Sequence, residues 1–233
     1  MSEPVPPATD PIRREWVRRI GAEYRSGAIA SQLCHWLIQL GTPRNLIDDC
    51  MRIVSDELDH AELSAQVCAA AGAPTQPRLE QAQLGIARTN LDLASDVTLV
   101  CLRSFCLSKT IAVPLFSEMR NQCTQPDASR ALDRILRDEE RHREFGWDLL
   151  HYLLQTQAEL RVPGQAALAD LFAELRGLYG QGALSSQAED PAHRAWGLMP
   201  PALYRSVLAE TLSKQYVPRF SELDMDARAA WDG

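Results

Sequence analysis

Glu57 and His60 stand three residues apart, and so do Glu139 and His142. Each pair lies inside a copy of one pattern: IVSDELDHAEL begins at Ile53 and ILRDEERHREF at Ile135. On a helix, residues i and i+3 project from the same face, so each pair offers a carboxylate and an imidazole side by side. That donor pair is half of a transition-metal site, and two halves facing each other inside a helical bundle make a pocket. A single Glu-x-x-His is commonly no more than a solvated ion-pairing face. Two copies are harder to explain that way. They share the Asp before the Glu (Asp56, Asp138), the Ile four residues before it, and a Glu two residues after the His (Glu62, Glu144). Asp56 and Asp138 are candidates for carboxylates that take the other N–H of a ligating imidazole and fix its tautomer; the competing reading makes them surface acids. Glu62 and Glu144 lie about 140° around the helix from the Glu of each pair and fall on its outer face.

A carboxylate site of this kind draws one further acid from each of two neighbouring helices. Glu23, in RIGAEYRSGAIASQL, is the last carboxylate before Asp48 and suits one of these positions. The other is missing. The run VTLVCLRSFCLSKTIAVPLF has no Asp or Glu from Val97 to Ser117, and Lys109 stands where the acid is wanted, thirty residues before Glu139.

Breakers divide the chain into long helical stretches with almost no strand signal. The first runs from about Pro11 to the LGTP at 40–43, and the second over roughly 43–71. The third covers about 90–122, with Pro114 as a kink, and the fourth runs from QPDASRAL, with Asp127 as its cap, to about Gln157. Apolar residues recur at spacings of three and four, so the expected fold is all-α, a four-helix bundle over 11–157. Residues 1–10 read as a flexible arm. Residues 158–233 read as a helical extension packed on the bundle: the linker ELRVPGQ, a helix near 166–178, a Gly/Ser/Gln-rich loop, and a last helix after LMPPALYRSVL. The repeat makes the first two helices correspond to the second two, a duplicated helical hairpin.

The net charge of −7 and pI near 5.3 argue against a nucleic acid or an anionic membrane as partner. The N-terminal MSEPVPPATDP has no basic-then-apolar order of a signal peptide, and no run of about 18 uninterrupted apolar residues suggests a membrane span. Six cysteines without CxxC spacing read as buried thiols, and the expected location is the cytoplasm.

In these motifs the chain resembles the ferritin-like superfamily of dimetal carboxylate proteins, and more narrowly bacterial ferritin-like domain proteins of this length. The matching elements are EYRS at Glu23, LGTP at Leu40, DELDH at Asp56, CLSKTIA at Cys106, DEERH at Asp138 and WGLMP at Trp196. The resemblance implies metal ligands at Glu23, Glu57, His60, Glu139 and His142, and a Glu where this chain has Lys109. Four carboxylates balance two divalent ions. Three carboxylates, a protonated Lys109 and two ions leave a surplus of two positive charges, which a bundle interior resists; with one ion the charges balance. Lys109 therefore has three readings: an ammonium standing in for one cation beside a single metal ion, a carbamylated ligand beside two, or a side chain bent away to a surface acid.

The implied function is that of an iron- or manganese-dependent oxidase or oxygenase, with one or two ions, O2 and a small organic substrate. Lys109 would also serve catalysis by holding a substrate carboxylate or a bound anion, and the irregular stretch Arg161–Arg194 would be a cover over the entrance or a plain connector. Partners would include an electron donor, with a homodimer left open. The competing reading is a ferritin-like metal-binding, storage or structural protein with a non-redox site.

Overall fold

The computed structural model describes residues 5–76, 79–89, 92–180 and 190–233. It is all-helical, with no strand among the described residues. Helix α1 (Asp10–Leu40) has Pro11 in its first turn, where the missing N–H costs nothing, and ends at Gly41 with φ 65°. Helix α2 (Arg44–Ala70) follows Pro43 directly. Helix α3 (Leu93–Asn121) is capped by the Asp92 side chain, which accepts from the Ser95 N–H. Helix α4 (Pro126–Thr156) is capped by Gln125, whose side chain accepts from the Ala128 N–H, so the expected cap at Asp127 is corrected by two residues. Pro126 fills the first helical position, and Gln125 takes the cap.

These four helices pack side by side: α1 on α2, α2 on α4, α4 on α3, and α3 back on α1. Their shared interior is lined by residues such as Trp16, Leu33, Leu102, Ile111, Leu132 and Leu150, all essentially inaccessible. Helix α3 has the length and mean hydropathy, 1.6, of a membrane span, although its apolar residues do not form one uninterrupted run. Its apolarity has an internal use, because it is packed between the other helices.

An irregularity that the sequence does not announce lies ahead of Pro114. Residues Cys101–Leu107 form a π-helical segment, and Ser108–Asn121, with Pro114 inside it, is regular α-helix. A π turn adds a residue and so rotates the rest of the helix by about 100°, setting the phase in which Lys109, Thr110 and Ile111 turn inward. The segment lies against Gly146 of α4. The thiols of Cys101 and Cys106 both donate to the Gly146 carbonyl, at 3.2 and 3.3 Å, and the hydroxyl of Tyr216 donates to the Leu107 carbonyl at 2.7 Å. A Cβ at Gly146 would lie 2.7 Å from Phe105 Cβ and 2.8 Å from Phe105 C. Gly146→Ala is therefore expected to cost about 1–3 kcal/mol of overpacking, a fall of several degrees in a thermal melt. Gly177→Ala, a helical glycine with nothing within 4 Å, should instead hold or slightly raise the melting temperature.

The extension begins sooner than the sequence suggests. After a 3-10 turn at Ala158–Leu160, helix α5 runs over Arg161–Gly180, with Pro163 in its first turn rather than in a linker. Helices α6 (Pro191–Ala195), α7 (Pro201–Thr211, continued by Leu212–Tyr216 and Val217–Ser221) and α8 (Ala227–Asp232) complete the described chain. The expected Gly/Ser/Gln-rich loop at 181–189 lies outside the described residues. Phe172, Tyr216, Phe220 and Trp231 join this layer through edge-to-face ring contacts, and Trp147 of α4 ties it to the bundle through Phe220. Among the described residues of the arm, Pro6 accepts at its carbonyl from the Trp196 indole at 2.8 Å and Ala8 packs against the core. All six cysteines are buried and none forms a disulfide.

Candidate metal centre

Glu57 and His60 on α2 and Glu139 and His142 on α4 are all at most 2 % exposed and face one another. Glu23 on α1 and Lys109 on α3 complete the ring at 7 % and 8 %. The three-residue spacing does what helical geometry requires of it, placing each Glu and His on one inward face.

Each imidazole is fixed from behind by an acid of the other repeat. His60 Nε2 lies 3.1 Å from Asp138 Oδ2, and His142 Nε2 lies 3.1 Å from Asp56 Oδ2. This exchange explains why the Asp recurs with the Glu-x-x-His: each copy supplies the outer partner of its twin. Arg141 reaches Asp56 at 3.1 Å and Asp138 at 2.8 Å, and Arg134 pairs with both as well. Burial pushes the Asp138 carboxyl up, but Arg134, His60 and Arg141 hold it at about 2, so it remains an acceptor. With Nε2 donating outward, Nδ1 of each ring faces the pocket.

Inside the pocket, Glu57 is the shared group. Its Oε1 accepts from Lys109 Nζ at 2.5 Å and from Ser26 Oγ at 2.9 Å; Lys109 Nζ also donates to Glu139 Oε1 at 2.7 Å. His142 Nδ1 is 3.4 Å from Glu57 Oε1 and 3.6 Å from Glu139 Oε1, and His60 Nδ1 is 3.7 Å from Glu57 Oε2. Lys109 therefore does not bend away to a surface acid. Burial opposes its charge, but Glu139, Glu57 and Glu23 outweigh that and hold the ammonium protonated far above the usual lysine range. Glu62 and Glu144 are exposed, as their place on the helix predicts.

Four buried atoms in this ring have no hydrogen-bond partner among the described residues: Glu57 Oε2, Glu139 Oε2, His60 Nδ1 and His142 Nδ1. Such orphans cost free energy unless something satisfies them, and all four are metal-ligating atoms. They belong to two groups whose donor atoms lie within 4.8 Å of one another, Glu23–Glu57–His60 and Glu57–Glu139–His142. The residues present therefore fit a metal ion. The Lys109 ammonium bonds one oxygen of each carboxylate in the second group, Glu57 and Glu139, and of the first group it bonds only the shared Glu57.

Without an ion the pocket balances its own charge. Burial raises the Glu57 and Glu139 carboxyls, but Lys109 and the imidazoles bring both below the usual range, so both are ionised. Burial and the neighbouring Glu57 push the Glu23 carboxyl well above the usual range. Burial lowers the His142 imidazole, but Asp56, Glu139 and Glu57 raise it to about 10. An entering cation repels the proton on His142 and competes with protonation of Glu23. Metal affinity is therefore expected to rise with pH, by about tenfold per unit below pH 10 if the His142 proton leaves, readable as protons released in calorimetry with buffers of different ionisation enthalpy. The opposite sign holds for the ion-free chain. Its raised His142 pKa stabilises the fold fully below about 6.5, and that contribution is lost as pH rises through about 10.

Three contributors were not legible as site residues in the sequence. Ser26 carried one signal, its position three residues after Glu23 on the same helix face; Arg134 and Arg141 carried none beyond lying near the second repeat. Comparison with protein-family models, with curated proteins and with solved structures finds no match in any of the three. The functional reading therefore rests on the geometry of the pocket.

Proposed function

We propose that this chain is a ferritin-like non-haem iron oxidase or oxygenase, with manganese as the alternative ion, acting with O2 on a small organic substrate. The ion would be single, held by Glu23, Glu57 and His60, with the Lys109 ammonium in the place of a second cation. The observation that carries this reading is the set of four buried, partnerless ligating atoms beside a lysine already bonded to two of the same carboxylates. A cation at Glu23, Glu57 and His60 would satisfy two of the four atoms, Glu57 Oε2 and His60 Nδ1.

A redox-active ion there would supply O2 activation and electron transfer. The chain's own residues do the rest. Asp138 and Asp56 hold the two imidazoles in one orientation, and Ser26 and Lys109 fix Glu57 on one oxygen, leaving Oε2 for the ion. Lys109 in its ammonium form argues against carbamylation, which needs a neutral amine. Three carboxylates, one ammonium and one divalent ion sum to neutrality.

One observation favours a second reading, a non-redox bundle: the ionised Glu57 and Glu139 are already balanced by Lys109 and a protonated His142. The two readings separate in one experiment. Ferrous iron is added anaerobically at one equivalent, then air-saturated buffer, with O2 followed at an electrode. The oxidase reading expects O2 uptake that His60→Ala abolishes. Bound iron without uptake, or no bound iron, favours the second.

A further inference from the structure

A cleft of about 300 Å³ opens between α1 and α3 onto the metal pocket, with Glu23, Lys109 and Glu139 in its wall. That is a small ligand's volume. Arg19 lies in the same wall, four residues before Glu23 and so one turn, about 6 Å, along α1. A buried arginine next to a redox pocket calls for an explanation. Its guanidinium is 4.3 Å from the Trp16 ring centroid and donates from Nη2 to the Gly197 carbonyl at 3.1 Å and from Nε to Glu15 at 3.2 Å. Nη1 is buried and has no partner among the described residues.

The charges are not balanced either. Among the described residues Glu15 is the only carboxylate paired with Arg19, and it already takes a two-point bond from Arg18, at 2.8 and 2.7 Å. Two guanidiniums therefore share one carboxylate, leaving a positive charge against the cleft. Ala22 follows Arg19 by three residues on α1, and Ala112 and Phe116 follow Lys109 by three and seven on α3; these apolar side chains line the cleft beside Ser26, Ser108, Tyr179 and Tyr204. A partnerless N–H on a guanidinium, a surplus positive charge and a short apolar passage together describe the complement of a small carboxylic acid.

We propose that the cleft binds a short-chain monocarboxylic acid, its carboxylate on Arg19 and its hydrocarbon along Ala22, Ala112 and Phe116, directed at the Glu23 end. The hydrocarbon would then span the one helical turn to the pocket, so that a carbon several bonds from the carboxylate is the one presented for oxidation. That last assignment rests on the oxidase reading above; the binding does not.

Hexanoate is the probe, titrated by calorimetry into the full-length chain first without metal and then with one ferrous equivalent under nitrogen, beside hexan-1-ol as the uncharged control. The expected result is hexanoate at least tenfold tighter than hexan-1-ol, with a loss of tenfold or more in Arg19→Gln. Ala112→Phe, which fills the passage without touching Arg19, should also lose hexanoate binding, and it carries the test if Arg19→Gln does not fold. Equal binding of the acid and the alcohol, or unchanged hexanoate binding in Ala112→Phe, overturns the proposal. Hexanoate binding by a chain that takes up no iron would sink the oxidase reading while leaving this one standing. Iron and O2 uptake without discrimination between acid and alcohol would do the reverse.

Discussion

Glu57→Ala is expected to abolish metal binding and to lower the melting temperature of the ion-free chain by about 10 °C. Glu57 is the one carboxylate common to both ligating groups, and it accepts from Lys109 and Ser26 while facing both imidazoles. Its removal leaves the Lys109 ammonium, at 8 % exposure, with Glu139 as its remaining hydrogen-bonded partner. Breaking a buried ion pair from one side costs about 3–5 kcal/mol, and in a chain of this size each kcal/mol moves the midpoint by about 2–4 °C. Glu62→Ala is the matched control. It removes a Glu from the same repeat, but one on the exposed face, and should leave both metal content and melting temperature where they are. Elemental analysis and a thermal melt on the two variants read the difference; a Glu57→Ala protein that still holds stoichiometric metal would contradict the shared-ligand geometry.

Lys109→Glu is expected to act in opposite directions with and without metal. The ion-free variant gathers four carboxylates with no ammonium, so it should be destabilised by about 3–5 kcal/mol or take up protons to survive. With metal supplied, the fourth carboxylate lets the Glu57–Glu139–His142 group accept its own cation, and the variant should bind two ions where the parent binds one. Ligand linkage then restores stability, by about 4 kcal/mol at a thousandfold excess over Kd. The melting temperature of Lys109→Glu should therefore respond to added metal far more steeply than that of the parent chain. A variant with the parent's stoichiometry would show that the ammonium is not what limits the site to one ion.

The clustering of the two Glu–His pairs was legible because its signal is local. A Glu and a His three apart converge on any helix, and a second copy with the same flanking Asp, Ile and Glu makes coincidence a poor account. Lys109 was legible as a departure from a resemblance. Its contacts were not, because which way α3 turns after Leu107 depends on the π segment at Cys101–Leu107, and no residue type announces a π turn. The crossed Asp–His pairs were hidden for a different reason. Asp56 and His142 are brought together only by the relative height of α2 and α4, so sequence alone offers the acids without their partners. Gly146 is similar: a glycine inside a long helix reads as a weak spot until Phe105 is seen against it. Arg19 carries no signal in the sequence that sets it apart from the other arginines, and its burial comes from Trp16 and from the Gly197 turn, contributed by a segment far along the chain. The late helix boundaries missed by a few residues where a polar side chain or a proline serves two roles, as at Gln125 and Pro163.

In the proposed site Lys109 replaces one cation of a carboxylate pair, so that the pocket holds a single ion. Metal per chain, measured by elemental analysis on protein purified after expression with iron and manganese supplied, tests it most directly. One ion per chain, lost in Glu57→Ala, is the expected result. Two ions per chain, or none, would contradict it.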